Sequence, residues 1–290
     1  MNQPIEAAEA FLRTPTEPAP FADHRALRAR RYDLAAEARR EADGARVGIG
    51  RAHESAHLHV SGEAAYIDDL PELDGTLHVA LGLSPLAHGR ITGIDLATLR
   101  ALPGVLAVLT AADIPGVNDC GPIQHDDPIL AELAFDAAGR AAGTVHYLGQ
   151  PVFAVVATER ELARRAAARA RDVLAIEPLP AILSAREAHA QGRYVVPPMH
   201  LARGDAPAAI AAAPHRLAGS LAVGGQEQFY LEGQISYAVP LEDDGMRVHC
   251  STQHPSEMQH AVARALGVNA HHVLVECRRM GGGFGGKESQ

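Results

Sequence analysis

The residues best suited to chemistry crowd the last part of the sequence. Five glycines surround one phenylalanine between Gly281 and Gly286, and Lys287 and Glu288 follow at once. Glycine admits positive φ and lets a backbone approach a ligand closely, and successive N–H groups in such a loop form an anion-binding concavity. A loop of this kind after the apolar run His272–Cys277 is expected to position a ligand rather than to serve as a linker. Two nucleotide motifs can be tested. Gly281, Gly283 and Gly286 satisfy GxGxxG, but any run of glycines nearly must, and the acidic residue about 20 positions later would fall beyond Gln290. Gly281–Lys287 fits GxxxxGK, yet Glu288 stands where a Walker loop needs a hydroxyl, and its carboxylate would repel a triphosphate.

Upstream, Ser251-Thr-Gln-His-Pro presents Gln253, a neutral amide that donates without titrating. By itself Gln253 reads as a strand-end polar group satisfying backbone, and Phe284 as core packing. Glu288 beside Lys287 divides evenly between a solvated charge and a ligand contact. Gln226, Glu227 and Glu232 are expected in structural or supporting roles. The histidines are numerous, but His271-His272 and His57-x-His59 lack helix-face spacing, so surface or capping roles fit them better than metal ligation. Cys120, Cys250 and Cys277 include no CxxC pair, which excludes a local zinc or iron–sulfur ligand set. Free thiols indicate a reduced chain and a cytoplasmic location.

The elements that must position these residues begin with the loop's own flanks. His272–Cys277 is predicted as a strand, and so is Met246–Gln253, which alternates at period two. Between them Pro255 opens a helix with Met258, Val262 and Leu266 on one stripe, stopped by Gly267. Ile235–Pro240 is a further strand of a region that starts near Leu201 and reads as strand-rich. Pro178, Pro180, Pro197 and Pro198 bracket a linker. Before it, Tyr66–Leu70, Leu77–Leu83, Val105–Thr110 and Gln150–Ala157 read as short strands, with a helical turn at Thr110–Pro115. A helix capped by Thr158 is expected to run to about Ala170, followed by a strand at Asp172–Glu177, making one compact α+β layer. The first 48 residues look like an add-on, with a stiff proline-rich start and helical character from Arg25 to Arg46.

The chain has 290 residues, enough for two modest domains. Its net charge of −9 argues against a nucleic-acid surface, which would need a basic face. Neither a signal peptide nor an apolar run near the roughly 20 residues that span a bilayer is visible.

Arg279-Met-Gly-Gly-Gly-Phe-Gly-Gly-Lys-Glu-Ser resembles the molybdopterin-site loop of the xanthine dehydrogenase and aldehyde oxidase family. Gly224-Gly-Gln-Glu-Gln-Phe-Tyr-Leu-Glu and Ser251-Thr-Gln-His-Pro resemble family segments in the family's order and spacing. The stretch from His57 to Leu70 is similar to its entry segment, and Gly149-Gln-Pro-Val to one of its turns. The resemblance thus covers roughly residues 50–290. Gln228, where the family usually shows His, and the N-terminal extension depart from it.

The resemblance implies an α+β (α/β) fold: an extension over 1–48, a hammerhead domain over 49–177, and over 178–290 the start of a strand-rich molybdopterin-binding domain. It implies the molybdenum-binding subunit of a two-subunit bacterial xanthine dehydrogenase. The reaction would be oxidative hydroxylation of hypoxanthine and xanthine to urate. Electrons would leave through iron–sulfur clusters and FAD on a partner subunit to NAD. Gln253 would hydrogen-bond an oxygen ligand of the molybdenum, and the backbone N–H groups of Phe284 and Gly285 would face the metal site. Glu288 would bind the purine, since aldehyde-oxidising relatives tend to carry an apolar residue there. The family's general-base glutamate, its substrate-clamping arginine and its aromatic sandwich are expected beyond Gln290, so the 290 residues alone should be inactive. The alternatives are a non-catalytic truncated chain or partner-binding module, an oxidoreductase for a different N-heterocycle or an aldehyde, and a nucleotide-binding enzyme.

Overall fold

The computed structural model describes Gly44, Val47, Gly50 and residues 53–288. The expected helix from Arg25 to Arg46 therefore lies outside the described residues. By its internal contacts the chain forms two units, Met1–Ala64 and Ala65–Gln290. The described part of the first carries one short helix, α1 (Ala56–Ser61), closed by Gly62 at φ +81°.

The second unit runs β1 (His78–Leu83), β2 (Gly89–Ile94), α2 (Leu96–Arg100), β3 (Val105–Leu109), β4 (Leu133–Phe135), β5 (Ala141–Val145) and β6 (Pro151–Ala157). Next come α3 (Arg160–Ala167), α4 (Ala170–Val173), β7 (Leu174–Pro178), α5 (Ala185–Ala190) and α6 (Ala206–Ala212). β8 (Ser236–Pro240), β9 (Met246–Cys250), α7 (Pro255–Leu266) and β10 (Val273–Glu276) complete it. Two antiparallel sheets, ordered β1-β6-β3 and β4-β5-β2-β7, form the first part. Their shared core holds Phe153, Ile91, Leu99, Val108 and Val155, all buried. β6 is apolar along its whole length because it is the central strand, and α3 lays a face of Ala163, Ala166 and Ala167 over the sheet. Alanine lets that helix approach closely without side-chain entropy to lose. Gly82 of β1 is needed for the same packing, since a Cβ there would come within 2.1 Å of the Phe153 ring.

Several expectations are corrected. Tyr66–Leu70 holds a 3₁₀ turn at Ile67–Asp69 instead of a strand, because Asp69 accepts the Tyr66 N–H at 2.9 Å and closes the turn. Thr158 caps no helix: its N–H donates to the Gly104 carbonyl at 3.0 Å, so the helix begins only at Arg160. That helix ends at Ala167, and Asp172 belongs to the separate turn α4. The strands on either side of α3 do not share a layer, since β6 lies between β1 and β3 whereas β7 pairs with β2. From Leu201 to Ile235 no strand forms among the described residues, and α5 and α6 are the regular elements between β7 and β8.

The third sheet has the order β10-β9-β8. β9 pairs antiparallel with β8 and parallel with β10, so β9, α7 and β10 make a βαβ unit. α7 begins with Pro255 at its first turn and stops at Gly267, φ +71°, as its residue pattern predicts. Met258, Val262 and Ala263 pack on Val248, Cys250 and Val273. No helix among the described residues is long and apolar enough to cross a membrane.

Candidate cofactor-binding site

Parallel pairing decides where the glycine loop lies. The carboxyl ends of β9 and β10 fall on one edge, which is where ligands bind in parallel α/β units. β9 delivers Ser251-Thr252-Gln253 to that edge, and β10 delivers the loop 281–288. The Gln253 N–H donates to the Lys287 carbonyl at 2.8 Å, and the Thr252 hydroxyl donates to the same oxygen at 3.3 Å.

Gln253 also holds the loop through its side chain. Its Oε1 accepts the N–H groups of Gly285 at 2.9 Å and Lys287 at 3.2 Å. This fixes the orientation of the amide and turns Nε2 outward, with no acceptor among the described residues. A Cβ at Gly283 would come within 2.5 Å of Gln253 Oε1, so any larger residue there would displace the amide. Phe284 stands at φ +52° and Gly285 at φ +91°, with the Phe284 ring 76% exposed. The ring is therefore no part of the core. Of the two loop N–H groups expected to face the metal, that of Gly285 is bound to Gln253. That of Phe284 has no acceptor among the described residues.

Lys287 and Glu232 lock the loop from below. Lys287 is fully buried, and its Nζ donates to the Glu232 carbonyl and the Ser251 hydroxyl, each at 2.6 Å. The same ammonium lies 3.7 Å from Glu232 Oε2 and 4.5 Å from the centre of the Tyr230 ring. Glu232 Oε2 accepts the Gly281 N–H at 2.7 Å and the Ser251 hydroxyl at 2.6 Å, while Oε1 accepts the Ile67 N–H at 3.3 Å. Burial works to raise the Glu232 carboxyl, but the Ser251 hydroxyl, the Gly281 and Ile67 N–H groups and Lys287 together hold it below the ordinary range. Glu232 thus has the structural role expected of it, whereas Gln226 and Glu227 are exposed. Sequence reasoning missed Lys287, which had seemed only the lysine of a failed Walker match.

Glu288 is exposed and lines a cavity of about 580 Å³. Thr252, Met258, His260 and the turn Cys120–Pro122 line it as well. A larger cleft of about 830 Å³ lies among Asp119, His125, Asp127 and Glu132, with no residue of the glycine loop in its walls. Among the described residues no group of histidines, cysteines or carboxylates could hold a metal ion. The three cysteines are free, and burial with Cys277 nearby pushes the Cys250 thiol up to about 11.

A group held mainly by neutral donors, with its metal bound through non-protein ligands, fits this site. Gln253 Nε2 and the Phe284 N–H are uncommitted donors, and beside them Gly285 leaves the backbone open. Residues 188–290 match the family described as "Molybdopterin cofactor-binding domain". Residues 61–173 match "Aldehyde oxidase and xanthine dehydrogenase, a/b hammerhead domain". The chain belongs to the xanthine dehydrogenase and aldehyde oxidase family of molybdenum-binding proteins, and its α+β fold is a hammerhead domain followed by the start of the cofactor-binding domain.

Among its relatives, the xanthine dehydrogenase of Drosophila pseudoobscura pseudoobscura is 40% identical over 246 residues, 84% of this chain and 18% of that protein. The aldehyde oxidoreductase of Desulfovibrio gigas superposes with a TM-score of 0.66 at 25% identity, over 81% of this chain and 27% of that one. The quinoline 2-oxidoreductase of Pseudomonas putida 86 gives 0.64 at 27% identity, over 82% and 31%. The chain therefore spans less than a third of each of these relatives.

Proposed function

We propose that this chain is part of a molybdenum hydroxylase that oxidises hypoxanthine and xanthine to urate. Its electrons would pass to NAD through iron–sulfur clusters and FAD on a partner subunit, in the cytoplasm. Within it, residues 49–177 and 178–290 would act as separate domains behind an extension over 1–48. The observation that carries this reading is the glycine loop pinned by Gln253, with uncommitted donors at Gln253 Nε2 and the Phe284 N–H. The 40% identity to a xanthine dehydrogenase and the carboxylate of Glu288 on an adjoining cavity support the purine as substrate.

Bound at this edge, a molybdenum–molybdopterin group supplies the redox centre for oxidative hydroxylation. Gln253 would hold it by its free side-chain N–H and Phe284 by its backbone N–H, while Gly285, whose N–H is taken by Gln253, would line the site and fix the amide. Glu288 would orient the purine by hydrogen bonds to ring nitrogen or carbonyl groups and stabilise charge shifted onto the ring. The general base is assigned to residues outside this chain.

The test uses the complete polypeptide that contains these residues, isolated with its partner. Molybdenum should be found by elemental analysis and urate should form from xanthine with NAD. Glu288→Ala should lower kcat/KM for xanthine about 100-fold or more. Oxidation of aldehydes with purines left untouched would overturn the substrate assignment.

A further inference from the structure

The cavity beside Glu288 has a wall from another part of the chain, and that wall is fastened by the buried Asp119 carboxylate, which pairs with Arg264 and with His125. Residues 116–127 run along the carboxyl end of α7. The N–H groups of Gly116 and Val117 donate to the carbonyls of Ala265 and Arg264 at 2.9 and 3.0 Å; the first has no partner within the helix, and the second is shared with the Gly267 N–H at 3.2 Å. Gly116 lies so close that a Cβ there would come within 2.0 Å of the Arg264 carbonyl oxygen. Beyond this contact, the Asp119 carboxylate turns inward and is only 5% exposed. Its Oδ1 accepts the N–H groups of Gly121 at 3.1 Å and Asp127 at 3.2 Å, which closes the turn 119–127 on itself.

Asp119 Oδ2 accepts from Arg264 Nη1 at 2.6 Å, and the same nitrogen donates to the Gly121 carbonyl at 3.3 Å; the exposed His125 ring places Nδ1 3.0 Å from Asp119 Oδ2 and 2.9 Å from the Gly121 carbonyl, as a second and weaker tie within the turn. Burial works against the Asp119 charge, yet the Gly121 and Asp127 N–H groups and then Arg264 hold its carboxyl below the ordinary range. A buried pair with this much desolvation to overcome is not the cheapest way to glue a loop to a helix, since apolar contacts would serve as well. It does fix direction. The residues that follow Asp119, namely Cys120, Gly121 and Pro122, are those that line the cavity opposite Glu288.

The geometry points to the Asp119–Arg264 pair as a positioning latch that sets the hammerhead wall of the substrate cavity facing Glu288. The inference rests on the purine-binding reading of Glu288. Asp119 lines no part of this cavity and acts only through the turn it holds; Arg264 also lines the cavity, so Asp119→Asn is the variant that isolates the latch. Releasing the turn widens the cavity without disturbing the loop pinned by Gln253. Binding should then weaken in ground state and transition state alike, which raises KM and leaves kcat in place.

Cys120 provides a readout that needs no turnover. Its thiol is half-buried, donates to the Asp127 carbonyl at 3.3 Å, and is pushed up by burial and by the neighbouring Asp127 and Asp119 carboxylates. It should therefore react slowly with a maleimide while the latch is closed. The experiment compares wild type, Arg264→Met, Asp119→Asn and Arg264→Lys in the complete enzyme. Maleimide labelling of Cys120 is followed by peptide mass, and KM and kcat are measured for xanthine and for the bulkier 1-methylxanthine.

Arg264→Met and Asp119→Asn should each speed Cys120 labelling about tenfold, and raise KM for xanthine about tenfold with kcat within about twofold. Discrimination against 1-methylxanthine should shrink, and Arg264→Lys should recover most of both effects. Unchanged labelling in Arg264→Met would overturn the latch. Faster labelling with an unmoved KM would overturn its link to the substrate cavity. Equal loss of kcat and molybdenum would also overturn it, by showing general damage to the fold. If the wild-type enzyme leaves purines untouched, the functional reading fails. The latch is then decided on labelling alone, where acceleration sustains it and none overturns it.

Discussion

At the scale of single residues, the cofactor loop is held by one neutral and one charged device. Gln253 binds two loop N–H groups with a single oxygen. Gly283→Ala should push that oxygen away, since the added Cβ would meet it at 2.5 Å. Cofactor content or turnover of the complete enzyme should then fall roughly 10- to 100-fold, as when a supporting contact of a metal site is lost. Elemental analysis beside steady-state kinetics would check this. Glu232 and Lys287 form the charged device. Lys287→Met leaves the Glu232 carboxylate buried without its cation and should cost about 3–5 kcal/mol in urea unfolding. The Glu232 carboxyl is held below its ordinary range in the folded state, so its contribution is complete above the ordinary carboxylate range. It is lost as pH falls through the depressed folded value. Glu232→Gln should therefore flatten the acid limb of a stability-versus-pH curve, with its full deficit in the neutral region and a deficit that shrinks as pH falls. Glu232 and Lys287 are far apart in sequence and meet because β8 runs antiparallel and β10 parallel to β9, which brings the start of β8 and the end of β10 to one edge. Neighbouring residues carry no sign of that pairing, which is why the sequence offers Lys287 no role beyond the rejected Walker match.

Among the elements, α7 was legible and much of the first part was not, for a physical reason. Pro255, the stripe Met258-Val262-Leu266 and the stop at Gly267 are local signals, and the helix follows them from end to end. β9 and β10 likewise follow their apolar alternation. β2 and β5 escape notice because Gly89-Arg-Ile-Thr-Gly-Ile and Ala141-Ala-Gly-Thr-Val hold too few large apolar side chains to alternate clearly. Their strand character comes from pairing with each other and with β7. The division of β6 and β7 between two sheets is equally non-local. The glycine loop could be found from residue type and Gln253 only through the family resemblance, but the docking of residues 116–117 onto the end of α7 could not be found from either. Gly116→Ala tests that docking. The backbone carbonyl of Arg264 cannot retreat from a Cβ within 2.0 Å, so the overpacking should cost about 1–3 kcal/mol in equilibrium unfolding. A stability equal to wild type would mean that this contact does not hold the two segments together.

For the molecule as a whole, the question is how much of an enzyme these 290 residues make. The cofactor edge offers donors, a buried ion pair and one exposed carboxylate, Glu288, on an adjoining cavity. Among the described residues Cys250 is raised to about 11, too high to serve as a nucleophile near neutral pH, and Glu232, held ionised, is fully occupied as a hydrogen-bond acceptor. Leu217, Leu221, Val223, Phe229 and Leu231 are almost wholly exposed along a stretch with no regular structure. Such a run is costly in water, and an isolated chain has little else to cover it. The relatives are several times longer than this chain. Residues 1–290 produced on their own should therefore bind a hydrophobic dye strongly and form no urate from xanthine, even when supplied with molybdopterin. The complete polypeptide should bind far less dye per mole and should turn xanthine over. Urate formation by residues 1–290 alone would require a proton acceptor within them, and would overturn the assignment of the general base to the remainder of the protein.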